Sequence, residues 1–324
     1  MSHDETTPLG AALSRKEFLR GGTALAASAA FMVAGGIGAS SFSGAARAAQ
    51  LITRPIPSSG EQLPIVGLGT ARVYDVEPND PRIVTLKATV ETFVREGGRI
   101  IDCSPTYGNA EAVVGRLVNE LGARNKVFYA NKISTNGEAE GMAQVEASLK
   151  AWNTDRFDLL QVHNLKDFKT QIRTIRRLKD AGKVRYVGMT ISNKRAYDRF
   201  AKVMETEKLD FIQVNYSLMQ PESGERILPL AKDKGLAVLI NRPFYLARTF
   251  AKVKGKALPG WAVDYGIKSW AQFFLKFVVS HPAVTAAIPG TDKPQYMIDN
   301  LGAAQGAMPD AAARTRMLDY WRTL

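Results

Sequence analysis

Residues 99–115 read RIIDCSPTYGNAEAVVG, and this stretch predicts the end of a strand, a turn and the start of a helix. A β-branched run ends at Asp102, Ser104-Pro105 turns the chain, and a helical pattern of apolar residues begins after Asn109. An acid therefore stands at the end of a predicted strand, and a phenol, Tyr107, follows five residues later. Considered alone, this pair also fits a turn-forming acid and a half-buried aromatic ring.

Two neighbouring predicted strands end in the same manner. The run from Val127 to Asn131 leads into Lys132, and the run from Phe157 to Val162 leads into His163. Parallel strands of a closed barrel bring their C-terminal ends to one mouth. We therefore expect the lysine and the histidine to meet the acid and the phenol there.

From Ile65 onward, strand patterns alternate with amphipathic helix patterns, which is typical of parallel βαβ units. Eight strands close a barrel, and about 250 residues commonly form such a barrel as one domain. The sequence therefore predicts an α/β fold, a (β/α)8 TIM barrel with an extra C-terminal helix. The predicted strands are 66–68, 100–102, 127–131, 159–163, 184–189, 211–214, 237–240 and 285–288, and the predicted helices are 82–96, 110–121, 142–152, 170–181, 195–205, 225–234, 268–280, 294–305 and 309–324.

Residues 1–48 have the pattern of an export signal. The segment 14–20, which carries four charged side chains, precedes an uncharged stretch, and Ala46-Arg47-Ala48 fits a small-x-small cleavage pattern. The charged motif resembles a twin-arginine signal with Lys16 in place of the second arginine. The uncharged stretch is rich in Gly, Ala and Ser, so we expect cleavage rather than stable membrane anchoring; a retained anchor is the alternative. We thus predict a signal peptide at 1–48, a single domain at 49–324, a periplasmic location and contact with the twin-arginine translocation machinery.

The chain is basic, with a net charge of +12. Residues 1–48 carry four basic and three acidic side chains, so the remainder keeps a net charge of +11. The one cysteine, Cys103, excludes an intramolecular disulfide and is expected to be a small buried side chain rather than a nucleophile. The densest basic run lacks interleaved aromatics, which favours a solvated outer face over a nucleic-acid site. This run comprises Arg173, Arg176, Arg177, Lys179, Lys183 and Arg185.

Over residues 51–308, the sequence resembles the aldo-keto reductase family. The matching positions are Gly67 to Thr70, Ile101-Asp102 with Tyr107-Gly108, Lys132, His163, Gln213 with Tyr216, and Ile288 to Gly290 with Asn300. The resemblance implies a catalytic tetrad and a β-hairpin across the N-terminal mouth of the barrel, within residues 51–64. It also implies NADPH as the cofactor and a small-molecule carbonyl as the substrate. The implied tetrad is Tyr107, Asp102, Lys132 and His163.

The same resemblance implies where the cofactor binds. Gln213 would bind the carboxamide and Tyr216 would stack on the nicotinamide ring, while the adenosine phosphate would meet a helix N-terminus after Gly290. The family's usual Gly-Val-Ser-Asn is replaced after the fifth strand, so either Thr190 or the Ser192-Asn193 pair takes the amide-binding role. The implied cofactor-binding residues are Gly69, Thr70, Asp102, Thr190, Ser192, Asn193, Gln213, Tyr216, Asn241, Arg242, Pro243, Ile288, Gly290, Thr291, Lys293, Tyr296 and Asn300.

Two departures from the family affect ligand choice. Gly290 and Tyr296 stand where the family commonly has basic residues that hold the 2′-phosphate, and Lys293 is the remaining cation of that loop. NADH use therefore stays open beside NADPH. Arg242 replaces a usually neutral turn residue and could approach the cofactor pyrophosphate or an anionic substrate.

These residues suit carbonyl reduction, because a carbonyl that accepts hydride at carbon needs a proton at oxygen. A free tyrosine has a pKa of about 10, and an ammonium within hydrogen-bonding reach typically lowers such a pKa by about 1–3 units. Lys132 would supply this ammonium, with Asp102 holding it in place. His163, as a neutral donor, would orient the carbonyl oxygen.

Two other functions remain open at the level of sequence. A lysine at the end of a barrel strand also serves Schiff-base lyases, so Lys132 could be a nucleophile. A nucleotide-binding redox sensor or partner subunit without turnover fits an exported protein, because no soluble NADPH pool is expected outside the cytoplasm. No metal site is predicted. Loop aromatics form either an apolar substrate wall or loop packing: Tyr74, Phe168, Phe244, Tyr245 and Trp261.

Overall fold

A computed structural model describes residues 50–324 of the chain. The predicted export signal at 1–48 and the predicted domain boundary after residue 48 lie outside the described residues. Within residues 50–324, no helix is both long enough and apolar enough to cross a membrane.

The strands of the described chain form two sheets. Strands β1 and β2 pair as an antiparallel hairpin, and β3 to β10 follow one another in a parallel sheet with neighbours in sequence order. This order is what consecutive βαβ units produce. The strand bounds are β1 Thr53–Pro55, β2 Gln62–Pro64, β3 Leu68–Gly69, β4 Ile100–Asp102, β5 Phe128–Ile133, β6 Phe157–His163, β7 Val184–Ile191, β8 Phe211–Asn215, β9 Ala237–Asn241 and β10 Ala286–Ala287.

Backbone contacts join the first and last strands of the parallel sheet. Parallel bridges link Val66 to Ala287 and Gly69 to Gly290, and the Gly69 N–H donates to the Pro289 carbonyl at 3.1 Å. A Cβ atom on Gly69 would stand 2.6 Å from the Ile288 carbonyl oxygen, so only glycine permits this approach. The curled sheet therefore meets itself, which is consistent with the predicted (β/α)8 barrel.

The helices pack their apolar faces against this sheet. In α1, the buried Leu86, Val90 and Phe93 follow the spacing of one helix face, and α2 to α5 bury comparable stripes. The helix bounds are α1 Arg82–Arg95, α2 Ala110–Glu120, α3 Glu138–Trp152, α4 Phe168–Asp180, α5 Tyr197–Thr206, α6 Ile227–Asp233, α7 Arg248–Lys252, α8 Trp270–Val279, α9 Pro294–Gly302 and α10 Ala311–Thr323.

The hairpin lies across the N-terminal end of the parallel sheet. Ile56 and Leu63 are fully buried in one cluster with inward-facing residues of β4 to β10, such as Phe128 and Phe211. Glu61 binds Arg185 of β7 at 2.5 Å. Three further side chains bond the hairpin to the rest of the protein. Arg99 donates to Glu61 at 3.0 Å, Tyr186 donates to Ser59 at 2.8 Å, and Arg54 donates to the carbonyls of His281 and Val284.

The basic run sits on α4 and the segment behind it. Arg176 pairs with Glu207 at 2.7 Å, Lys179 pairs with Asp210 at 2.8 Å, and Arg177 pairs with Glu138. The acids belong to segments adjacent to α4 on either side, so the ion pairs connect successive units on the outer surface.

Candidate active site

Strand alternation directs three members of the predicted tetrad to the inner face of the barrel. Ile100, Phe128 and Leu159 belong to the interior cluster, and side chains two or four residues further along each strand share their face. These are Asp102 in β4, Lys132 in β5, and Gln161 and His163 in β6. All stand at or near the C-terminal ends of their strands.

Lys132 and Asp102 form a buried ion pair. The Lys132 ammonium donates to both Asp102 carboxylate oxygens at 2.8 Å and to the Cys103 carbonyl at 2.5 Å. Both side chains are almost fully buried. Burial alone lowers the pKa of Lys132, but the Asp102 carboxylate and the Tyr107 phenol outweigh it and raise the pKa above its ordinary value. Lys132 therefore carries its charge at neutral pH.

Tyr107 stands over this ion pair from the loop after β4. The Lys132 Nζ lies 5.4 Å from the centroid of its ring. Burial raises the pKa of Tyr107, and the opposing effects of Lys132 and Arg242 do not cancel this rise. This corrects the expectation of a lowered phenol pKa, because the desolvation of the half-buried ring was not visible in the sequence.

His163 lies beside Tyr107 and is neutral. The two rings meet edge to face, with centroids 6.3 Å apart. Burial lowers the pKa of His163 to about 3, and the nearby charges of Lys132 and Lys166 lower it further. The Ser104 hydroxyl is 3.3 Å from the His163 Nδ1. With Ser104 as the donor in this contact, the imidazole keeps its proton on Nε2.

Two glutamines extend the site below the ion pair. Gln161 Nε2 donates to Gln213 Oε1 at 2.7 Å, and Gln213 Nε2 donates to Asp102 at 3.4 Å. Gln213 therefore lies beside the tetrad, and its side-chain amide is bonded to Asp102. The sequence analysis missed Gln161 and Ser104. Gln161 lies two residues before His163 and so on the same strand face, which was a usable signal.

The region after β7 distinguishes the two predicted amide-binding alternatives. Thr190 is buried and pairs in register with both His163 and Gln213. Asn193 instead accepts the Arg195 N–H through its side chain, and the Ser192 hydroxyl donates to Asn164 at 3.2 Å. The structure thus brings Thr190 to the tetrad and engages the side chains of Ser192 and Asn193 elsewhere.

Tyr216 is not brought into the site. Its ring stacks on Phe277 of α8 at 5.2 Å and meets His281 at 5.6 Å. Gln213 faces inward, and a residue three positions later in an extended chain faces the opposite side. This corrects the predicted stacking of Tyr216 on a nicotinamide ring; strand parity would have revealed it.

Arg242 lies at the same mouth as the tetrad, directly after β9. Its guanidinium donates to the Ser192 carbonyl at 3.4 Å, and its charge acts on Tyr107. Its backbone has φ 51°, a left-handed conformation that is uncommon for a non-glycine residue. Asn241 precedes it with a buried Oδ1 that has no hydrogen-bond partner among the described residues, and Pro243 is buried.

The segment after β10 meets the end of β3. Gly290 pairs with Gly69, and the Thr70 hydroxyl donates to the Asp102 carbonyl at 2.9 Å. These contacts link the segment after β10 to the tetrad. Ile288 is buried, and the Thr291 hydroxyl is buried without a hydrogen-bond partner in residues 50–324. Further along lie Lys293 Nζ, 5.7 Å from the centroid of the buried Tyr296 ring, and the buried Asn300.

These observations test whether a nucleotide cofactor fits here. Two buried polar atoms, Asn241 Oδ1 at the end of β9 and Thr291 Oγ1 in the segment after β10, have no hydrogen-bond partner within residues 50–324. Helix α9 begins at Pro294, which has no N–H, and the Tyr296 N–H donates to the Lys293 carbonyl at 3.1 Å, so its first turn offers the Gln295 N–H to an anion. The residues present therefore fit a phosphate-bearing ligand. Among the described residues, no cluster of His, Cys, Asp and Glu could hold a metal ion.

Three other residues that the sequence analysis singled out, Cys103, Phe244 and Trp261, are packed against other side chains. Cys103 is buried, as expected, and burial raises the pKa of its thiol to about 12, which makes it a poor nucleophile. Phe244 packs on Phe250 and Phe274, and Trp261 packs on Phe273 and Tyr320. These two aromatics serve loop packing.

The sequence is similar to known proteins. A sequence model described as the aldo/keto reductase family matches residues 65–314. The chain is 30% identical over 200 residues to the aldo-keto reductase YhdN of Bacillus subtilis, an alignment that covers 57% of this chain and 60% of that protein. It is 26% identical over 248 residues to the glyoxal reductase of the same organism, covering 75% of this chain and 83% of the relative.

A solved structure shares the fold. An aldo-keto reductase from Klebsiella pneumoniae, crystallised with NADPH, superposes with a TM-score of 0.72 at 21% identity and covers 84% of this chain and 95% of its own. At this level of identity, the likeness concerns the fold alone.

Proposed function

Since this chain belongs to the aldo/keto reductase family, we propose that it reduces aldehyde or ketone carbonyls to alcohols with NADPH as the hydride donor. The observation that carries this proposal is the buried Lys132–Asp102 pair with Tyr107 and His163 above it at one mouth of the barrel. Catalytic groups of (β/α)8 enzymes lie at this end of the strands.

Tyr107 is the proton donor. Its raised pKa keeps the Oη–H protonated at neutral pH, so the proton is present before it is needed. As negative charge develops on the carbonyl oxygen, Tyr107 transfers this proton and becomes a phenolate. The Lys132 ammonium, which Asp102 holds in place, stabilises that phenolate. Lys132 therefore acts on the product of proton transfer.

His163 orients the substrate. As a neutral imidazole with its proton on Nε2, it donates a hydrogen bond to the carbonyl oxygen from a second direction. The proton on Nε2 depends on the Ser104 hydroxyl, which occupies Nδ1. His163 and Tyr107 together fix the position of the oxygen that is protonated.

NADPH supplies the hydride when bound, because no side chain can do so. The residues that would hold it are Gln213 and Thr190 on the inner strand faces, Asn241 and Arg242 after β9, and Thr291 with the first turn of α9. Gly290 and Tyr296 leave the 2′-phosphate with Lys293 as its nearby cation, and NADH is the second cofactor to test.

The Schiff-base alternative is disfavoured by the state of Lys132. A lysine nucleophile must lose its proton, whereas the Asp102 carboxylate and the Tyr107 phenol raise the pKa of this ammonium. The carbonyl oxygen of Cys103 also accepts one of its hydrogens. Lys132 is thus placed as a fixed cation.

The test combines binding with turnover. Quenching of protein fluorescence is measured with NADPH and NADH, followed by NADPH oxidation with a panel of small aldehydes that includes glyoxal and benzaldehyde. Many turnovers per enzyme with excess cofactor are expected. Tight binding with a single turnover would instead identify the non-turnover nucleotide-binding protein, and no binding would remove the proposal.

We also propose that residues 1–48 direct export by the twin-arginine route and that 49–324 form the single mature domain in the periplasm. The support is the sequence pattern around Lys16 and Ala48. Expression with and without an active twin-arginine translocase, followed by fractionation and N-terminal sequencing, tests it. Unprocessed protein in the cytoplasm of translocase-competent cells would contradict it.

A further inference from the structure

A buried carboxylate lies behind the catalytic residues and takes no part in the mechanism above. Glu111 belongs to the first turn of α2, four residues after Tyr107, and is buried. Its Oε1 accepts a hydrogen bond from Asn131 Nδ2 at 2.7 Å. Asn131 is fully buried in β5 and directly precedes Lys132.

This bond connects the helix that follows Tyr107 to the strand that carries Lys132. Lys132 faces the barrel interior, so Asn131 faces outward toward α2. The residue before α2, Asn109, makes no side-chain capping bond, although its N–H donates to Asp75 at 2.9 Å. The Glu111–Asn131 bond adds a directional link between the first turn of α2 and the strand of Lys132.

Keeping a carboxylate at this position is costly. Burial raises the pKa of Glu111, and the hydrogen bond from Asn131 offsets this rise only in part. Buried carboxylates generally cost stability that an apolar side chain of similar size would not. If Glu111 served only to pack α2 against α3 and β5, a leucine would do so at a smaller cost in stability. The carboxylate at this position therefore indicates a role in positioning Tyr107.

We propose that Glu111 is a positioning residue, which sets the placement of Tyr107 over Lys132 by accepting the Asn131 hydrogen bond. This inference rests on the proposed reductase function. The loop between Asp102 and α2 is also held by the Lys132 bond to the Cys103 carbonyl, and the Glu111–Asn131 bond adds a second link to β5 on the far side of Tyr107. A displacement near 1 Å at a reacting group can cost on the order of 100-fold in rate.

The test compares Glu111→Leu, which removes the acceptor, with Glu111→Gln, which keeps an oxygen at the same place. Glu146→Leu on the exposed side of α3 is the matched control. We expect Glu111→Leu to lower kcat by about 10- to 100-fold with KM and the NADPH dissociation constant within about twofold, because proton transfer is misplaced while binding is kept. Glu111→Gln should restore kcat to within about threefold.

A second readout does not depend on turnover. In protein labelled with 3-fluorotyrosine, the ¹⁹F resonance of Tyr107 is assigned by its loss in Tyr107→Phe. Glu111→Leu should shift this resonance, and Glu111→Gln and Glu146→Leu should leave it in place. If Glu111→Leu does not fold, Asn131→Ala removes the donor instead and should move the same resonance.

Three outcomes would overturn the inference: an unmoved Tyr107 resonance in folded Glu111→Leu or Asn131→Ala, an unchanged kcat in Glu111→Leu, or a Glu111→Gln as impaired as Glu111→Leu. If the wild-type enzyme reduces no carbonyl, the reductase proposal fails, and the ¹⁹F comparison still decides whether Glu111 places Tyr107.

Discussion

At the residue scale, the site works by holding opposite protonation states close together. Lys132 stays charged because a carboxylate faces it, whereas the half-buried Tyr107 and His163 stay neutral because burial disfavours their ionised forms. In the proposed mechanism, the cation, the acid and the neutral donor thus coexist at one mouth of the barrel at neutral pH. Each role follows from what the side chain touches.

Replacing Tyr107 by Phe removes the proton donor and keeps the ring. We expect kcat to fall by about 100- to 10,000-fold, with the NADPH dissociation constant within a fewfold of wild type, because general acid catalysis supplies gains of this size. Initial rates of NADPH oxidation and a fluorescence titration measure both quantities. Wild-type turnover by Tyr107→Phe would remove Tyr107 from the mechanism.

The state of His163 predicts the acidic side of the pH profile. Its pKa of about 3 leaves the imidazole neutral down to pH 5, so kcat/KM should show no acidic limb from this histidine between pH 8 and pH 5. A pH series of kcat/KM with wild type and His163→Gln checks this. An acidic limb near pH 6.5 in wild type that disappears in the variant would contradict it.

At the scale of elements, helix packing depends on a close approach beside the site. Gly115 of α2 lies against α3, where a Cβ atom would stand 2.4 Å from the Ala151 carbonyl oxygen and 2.7 Å from the Trp152 Cα. Asn119 seals the same contact by donating to the carbonyls of Gly115 and Trp152 at 2.7 and 3.1 Å. The backbones of the two helices therefore approach each other closely at this crossing.

Gly115→Ala should accordingly force α2 away from α3. We expect a loss of about 1–3 kcal/mol in the free energy of unfolding, as for other overpacked positions. Gly260→Ala is the control, since a Cβ there meets no atom within 4 Å, and its effect should stay within about 0.5 kcal/mol. Urea unfolding curves measure both, and equal stability of the two variants would refute the expected clash.

Most elements could be predicted from sequence because their apolar spacing is long and regular. The bounds of β4 agree with the prediction, and α1 ends one residue earlier than predicted. Helix α7 was missed because its five residues are too short to show a period within a predicted loop. Strand β10 is shorter than predicted, although bridges and bonds continue on both sides of it.

The candidate site was predictable only in part. Residues at strand ends, such as Lys132 and His163, could be placed because the barrel gathers those ends. The direction of the Tyr107 pKa could not, since burial of a loop ring depends on packing that sequence spacing does not encode. Tyr216 was misassigned because the match was made on residue type without strand parity.

At the scale of the whole molecule, two histidines make stability depend on pH. Burial lowers the pKa of His163 to about 3 and that of His281 to about 4, against about 6.5 in the unfolded chain. Below pH 6.5, the unfolded chain therefore binds more protons than the native protein. The free energy of unfolding falls as the pH drops from 6.5 toward 4.

His281→Asn should weaken this dependence while keeping an acceptor for the Ala283 N–H. We expect the stability lost between pH 7 and pH 4.5 to be smaller in the variant by roughly 1–2 kcal/mol, after allowing for partial exposure of the ring. Urea unfolding at several pH values measures the difference. Parallel pH curves for wild type and variant would show that His281 does not contribute.

The hairpin of β1 and β2 also determines which end of the protein can be attached to a support without blocking the site. Leu51 rests near Gly97 behind α1, and Ile52 donates its N–H to the Ala304 carbonyl, so the described chain starts on the underside, opposite the mouth that carries Tyr107. A tether or affinity tag joined ahead of residue 50 would leave the mouth of the barrel that carries Tyr107 facing the solvent. Immobilisation through that end should therefore preserve access for dissolved reagents, whereas attachment through the loops after β6 or β9 would obstruct the entrance.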